Sequence, residues 1–326
     1  MAQPGQPVRR IGDRWLTVSS QAGIVRVPYF GSGDLGTPQP TVSRAVVIVN
    51  GTLRNADEYY ASGVTAAQAA GADLRHVLVM APQFLAKPDA ESAGAAEDVP
   101  LWSLDGWKDG ARAQRPRDGP SSFAVMDVIL QTLLDRGRFP ALRIVVVAGH
   151  SAGGQLVQRY AATSRADGDV RSAGITLRYV VANPSTYLYF DDRRVTADGR
   201  LAPFPRAACP TFNQYKYGLE EANEYVGAPD GLDLARRYAR RDVTYLLGGE
   251  DTDPRAPHLD TTCAAAAQGA SRRERGERYT RYLQLLLGAE IGQRHRHYIV
   301  PGVGHDHAGI FGSPCGLRQL YGDGSC

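Results

Sequence analysis

Lysine is almost missing from this chain of 326 residues. It stands only at Lys87, Lys108 and Lys216, and arginine supplies the rest of the 37 basic side chains. That bias reads as coding composition rather than as a binding signature. The 34 acidic residues leave a net charge of +3, too small to select a polyanionic partner, so no nucleic-acid binding is expected. The one dense charged cluster, 272–278, interleaves both signs and reads as a solvated helix face. No run of about 18 apolar residues occurs, so no membrane span is expected. A G-x-x-x-x-G-K-[ST] loop is absent, as is a G-x-G-x-x-G turn after a strand, which removes the usual phosphate sites. No cofactor is expected.

Cysteine is scarce as well: Cys209, Cys263, Cys315 and Cys326 are the only four, an even number that allows three pairings. None sits in C-x-x-C, and His295, His297, His305 and His307 lack zinc-ligand spacing, so no metal is expected. Cys315 and Cys326 flank a short glycine-rich tail, where a bridge would pin an end that otherwise frays. Cys209 with Cys263 is then the remaining pair. The first residues carry no apolar signal core, and 2–7 read as a mature exported N-terminus behind an added methionine. Together these point to a secreted or periplasmic protein, with four reduced thiols in a cytoplasmic protein as the alternative.

What is present is an ordinary globular composition, 43% hydrophobic and 22% charged, enough for a full core. Apolar strand-like runs at 45–49, 76–80, 142–148, 177–182, 243–247 and 297–300 alternate with helical patterns. That alternation predicts an α/β fold, a mostly parallel sheet with helices on both faces. Two early runs, 15–18 and 23–28, are close enough to pair antiparallel. Two long stretches interrupt the pattern, 81–120 and 183–231. Long aperiodic segments in compact domains tend to be functional, and these are expected to form a lid or substrate pocket on a single domain. Trp102 and Trp107 in the first, and Tyr187 and Tyr189 in the second, are the candidate pocket residues.

The pentapeptide Gly149-His150-Ser151-Ala152-Gly153 follows the run 142–148 and precedes a helical segment. A serine at such a strand-to-helix turn is pushed out of the sheet as a nucleophile, and the flanking glycines let neighbouring backbone come close. A serine hydroxyl needs a base within hydrogen-bond reach and a carboxylate to orient that base. His305 lies just past the last strand-like run, with His307 as the competing base. Asp251 lies just past 243–247, with Asp253 the near competitor and Glu250 a distant one. Groups at the carboxyl ends of parallel strands converge despite their separation in sequence.

With these motifs the chain resembles the α/β-hydrolase superfamily, on the elbow around Ser151 and the order Ser151, Asp251, His305. The resemblance spans most of the chain from residue 45 onward. It implies that Ser151 attacks, that His305 acts as base and then acid, and that Asp251 orients the imidazole. It also implies an oxyanion hole from the backbone N–H of Ala152 and of Thr52. At the latter site the family often carries His-Gly, where this chain has Asn50-Gly51. The expected activity is hydrolysis of a small-molecule or polymeric carboxylic ester through an acyl-enzyme. The alternatives are an amidase or peptidase with the same triad, and a non-catalytic binding protein of this fold.

Overall fold

In the computed structural model, which describes residues 3, 5–93 and 95–326, ten strands and the helices between them build one sheet and one small hairpin. The segment 2–7 therefore lies partly outside the described residues. In chain order the strands are β1 (Arg14–Ser20), β2 (Gly23–Gly31), β3 (Arg44–Val49), β4 (Val77–Pro82), β5 (Ile144–His150), β6 (Thr176–Ala182), β7 (Arg193–Val195), β8 (Leu201–Pro203), β9 (Asp242–Gly248) and β10 (His295–Val300). Eight of them form a sheet in the order β1-β2-β4-β3-β5-β6-β9-β10, and β7 pairs with β8 alone. The first two strands pair antiparallel, as their proximity predicts, and β2 is antiparallel to β4. Along the eight-stranded sheet every pairing from β4 across to β10 is parallel, whereas β7 and β8 pair antiparallel.

The central strands are buried on both faces, which is why they read as continuous apolar runs. Their side chains still divide with period two. Val46, Ile48, Val146, Ala148 and Val180 share one core with Ile310, Phe311 and the helix Ala56–Ala69. Val47, Val49, Val145, Val147 and Val181 share the other with the helices Ser122–Leu133, Ala152–Thr163 and Arg272–Leu287. Helices thus cover both faces, in agreement with the predicted α/β architecture. Caps define several ends: Ser121 accepts from the Phe123 N–H and Ser271 from the Glu274 N–H. The last of these helices begins at Arg272, so the charged cluster 272–278 forms its first two turns.

The cluster 272–278 departs from the solvated face expected of it. Arg273 pairs with Glu277 and Glu274 with Arg278, one turn apart in solvent. Arg272 and Arg275, however, turn inward and are buried. Two disulfides form, Cys209–Cys263 and Cys315–Cys326, the pairing read from the tail and the remainder. No helix among the described residues is long and apolar enough to cross a membrane.

Candidate active site

Because β5, β6, β9 and β10 run parallel, the residues that follow them emerge along one edge of the sheet. Ser151 follows β5, Asn183 follows β6, Asp251 lies three residues past β9, and His305 lies five past β10. Ser151 has φ 58°, ψ −120°, a conformation disfavoured for an L-residue that turns the chain from strand into helix. Its N–H donates to the Ala182 carbonyl at 2.9 Å. The turn is possible only because Gly149 and Gly153, two residues to either side, have no side chains. A Cβ on Gly149 would fall 2.3 Å from the Gly153 carbonyl oxygen, and one on Gly153 only 2.1 Å from that of Val49.

The three predicted residues meet. Ser151 Oγ lies 2.9 Å from His305 Nε2, and His305 Nδ1 lies 2.7 Å from Asp251 Oδ2. Asp251 is buried, and its other oxygen faces the buried Arg272 guanidinium at 3.4 Å. Arg272 also donates to the Pro257 carbonyl at 2.7 Å. Burial lowers the His305 pKa below its usual 6.5; the bond to Asp251 raises it, and the Arg272 charge lowers it again. The competing residues lie elsewhere. Asp253 is exposed and caps the Arg255 N–H at 2.8 Å, and Glu250 is exposed too. His307 pairs with Ser62 Oγ at 3.0 Å and stacks on Tyr59 at 3.9 Å between centroids. His295 is tied between the Tyr245 hydroxyl and the Tyr238 carbonyl at 3.1 and 2.9 Å.

Thr52 and Ala152 both border the cleft over Ser151. Ala152 opens its helix, so its N–H belongs to the first turn, which has no acceptor within the helix. The Thr52 loop is fixed from below by Arg54, which is fully buried and forks onto Asp89 at 2.7 and 2.9 Å. Gly51 is also constrained, since a Cβ there would meet the Tyr59 hydroxyl at 2.5 Å. That hydroxyl lies 3.2 Å from His150 Nδ1.

A cleft of about 500 Å³ opens beside the serine. Its wall comes from three segments: Leu104, Asp105 and Lys108 from the first long stretch, Ser185, Lys216 and Tyr217 from the second, and His258, Leu259, Asp260 and Thr262 from the loop after β9. The aromatic residues expected to line it are elsewhere. Trp102 and Trp107 are buried around Phe84, with ring centroids 5.2 and 5.8 Å away, and Tyr187 and Tyr189 are buried against Tyr279 at 4.5 and 5.2 Å. Their large apolar area is more stabilising in the core than at a wet wall.

No family model matches the chain, and no curated protein sequence matches it. Solved structures do. A poly(aspartic acid) hydrolase-1 from Sphingomonas sp. KT-1 is 20% identical, over 97% of this chain and 99% of that one, with a TM-score of 0.61. A poly(3-hydroxybutyrate) depolymerase from Bordetella parapertussis is 21% identical, over 97% of this chain and 93% of that one, with a TM-score of 0.62. The chain has the α/β-hydrolase fold.

Within this α/β-hydrolase fold, three contributors to the site escape a reading of the sequence. Arg272 hides in a charged cluster. Asn183, with φ 42°, accepts from the Gly248 N–H at 2.7 Å and donates to the Gly304 carbonyl at 3.3 Å, tying the Ser151 side of the sheet edge to the His305 loop. The loop after β9 gives no periodic signal, although Cys263 marks it: its bridge to Cys209 fastens that loop to the second long stretch.

Proposed function

We propose that the chain is a serine hydrolase that cleaves carboxylic esters through an acyl-enzyme. The observation that carries this reading is the continuous Ser151–His305–Asp251 relay, with contacts of 2.9 and 2.7 Å, set in a strained elbow at the mouth of a cleft. Each group then has a task. His305 is held neutral by burial and takes the Ser151 proton on Nε2 as Oγ attacks the ester carbonyl. Asp251 accepts the Nδ1–H and stabilises the imidazolium that forms. The developing alkoxide accepts from the Ala152 and Thr52 N–H groups, and losing one such donor costs about 3 kcal/mol of transition-state stabilisation. His305 returns its proton to the leaving alcohol. It then draws a proton from the water that releases the acyl group, restoring Ser151.

The two long stretches serve as the pocket walls in this reading, through Leu104, Asp105 and Lys108 and through Ser185, Lys216 and Tyr217. Leu104 and Leu259 are the large aliphatic side chains on a wall otherwise rich in polar groups, which favours short acyl chains over long fatty ones. Two disulfides with no free cysteine among the described residues support export to an oxidising compartment.

Stopped-flow hydrolysis of p-nitrophenyl butyrate tests the mechanism. A burst of one p-nitrophenolate per protein, followed by slower turnover, is expected for an acyl-enzyme. A matched series of p-nitrophenyl esters and anilides tests the bond cleaved. Anilides turned over far better than esters would make this an amidase.

A further inference from the structure

Two of the chain's three lysines, Lys108 and Lys216, border the cleft beside Ser151, while arginine serves nearly every other cationic position. We propose that the cleft takes an acyl group ending in a carboxylate, which the Lys108 and Lys216 ammonium groups bind; this rests on the ester-hydrolase reading and names its substrate class.

The backbone of both lysines is anchored to the helix that follows Ser151. Lys108 sits in the short 3-10 turn Gly106–Asp109, which packs on the helix Ala152–Thr163. The carbonyl of Lys216 accepts from Arg159 Nε of that same helix at 3.2 Å. Both side chains are largely withdrawn from solvent, at 9% and 17% exposure. A withdrawn cation gains most from an anion, because little water competes for it.

Their present partners leave capacity unused. The Lys108 ammonium bonds Asp105, whose side chain is 76% exposed and therefore able to swing into water when another carboxylate arrives. Lys216 reaches Asp260 only at 3.6 Å, beyond hydrogen-bond range. Asp260 is itself occupied, accepting from the Tyr217 hydroxyl at 2.8 Å and from the Thr262 N–H and hydroxyl at 3.0 and 2.8 Å. Burial lowers the Lys216 pKa, and the charges of Lys108 and Arg159 lower it further, against the pull of Asp109 and Asp260. An ammonium has three donors and no fixed plane, so it can donate to a carboxylate arriving from several directions, where a guanidinium fork is confined to its plane. Leu104 and Leu259 offer the apolar surface for a short spacer between that carboxylate and the reacting carbonyl.

The test compares mono-p-nitrophenyl adipate with its methyl-capped diester on the full chain. The wild type is expected to favour the anionic ester by at least about tenfold in kcat/KM, the scale of one charge-assisted hydrogen bond. Lys216→Met should bring the ratio towards one, and Lys216→Arg should restore part of it. Adipate itself, on the wild type, should inhibit competitively and more weakly as salt rises. No preference for the anionic ester by a protein that still labels at Ser151 with a fluorophosphonate overturns this inference and leaves the hydrolase reading standing. If neither ester is cleaved and Ser151 does not label, the hydrolase reading falls and this inference falls with it.

Discussion

The imidazole of His150 lies tilted against that of His305, with ring centroids 4.5 Å apart and planes at 38°. Burial first, then the neighbouring His305, His307 and Arg272, push the His150 pKa well below 6.5, so this ring is neutral at ordinary pH. The Asn183 amide approaches its Nε2 at 3.4 Å and the Tyr59 hydroxyl its Nδ1 at 3.2 Å. His150 is therefore a held, uncharged wall against which the base rests. Truncating it should let His305 wander. His150→Ala is expected to lower kcat by about 10- to 100-fold, with KM changing less, and His150→Phe to recover much of the loss. Steady-state kinetics on one ester, with thermal melts as a folding control, check this.

The two nearby histidines should separate cleanly. His305→Ala is expected to lower kcat/KM by several orders of magnitude, roughly 10⁴-fold or more, because the triad acts as a unit. His307 faces Ser62 and Tyr59, so His307→Ala should stay within a few-fold of wild type. The reverse pattern would reassign the base.

The pH profile follows from the direction of the His305 shift. As a base it works only when neutral, and burial holds its pKa below 6.5. The acid limb of kcat/KM should therefore fall below pH 6.5, with full activity at neutral pH. Arg272 is among the causes of that lowering. Removing its charge in Arg272→Gln should raise the His305 pKa and move the limb to higher pH. An unmoved limb in a folded Arg272→Gln protein would show that this charge does not reach the base.

How much of this was legible in the sequence depends on how local the cause is. The elbow could be read because its constraint is carried by adjacent residues, Gly149 and Gly153 around Ser151. The core strands were readable since five buried apolar residues in succession, as at Ala45–Val49, have few other uses. Asp251 was reachable by its interval after a strand, with Asp253 left open. Arg272 was not reachable. Its inward turn depends on which helix face meets the sheet edge, and the cluster around it has the composition of a solvated face. The aromatic residues misled for a related reason, since tyrosine and tryptophan in a long loop suit a pocket or a core equally. Only packing against Phe84 and Tyr279 decides between them.

The disulfides should matter differently. In the chain-entropy picture, the bridge Cys209–Cys263, with sequence separation 54, contributes about 4 kcal/mol. That of Cys315–Cys326, with separation 11, contributes about 3 kcal/mol. Reduction is expected to lower Tm by several degrees in calorimetry. The double variant Cys209→Ala with Cys263→Ala should also raise KM more than it lowers kcat, since it frees the loop carrying Asp260 and Thr262 on the cleft wall. Alkylation without reductant, read by intact mass, should find no free thiol.

Mapping of a fluorophosphonate adduct by peptide mass spectrometry bears most directly on the triad. One adduct per chain on Ser151 is expected, absent in Ser151→Ala and formed far more slowly in His305→Ala. An unlabelled wild-type protein, or an adduct on another serine that persists in Ser151→Ala, would contradict the account.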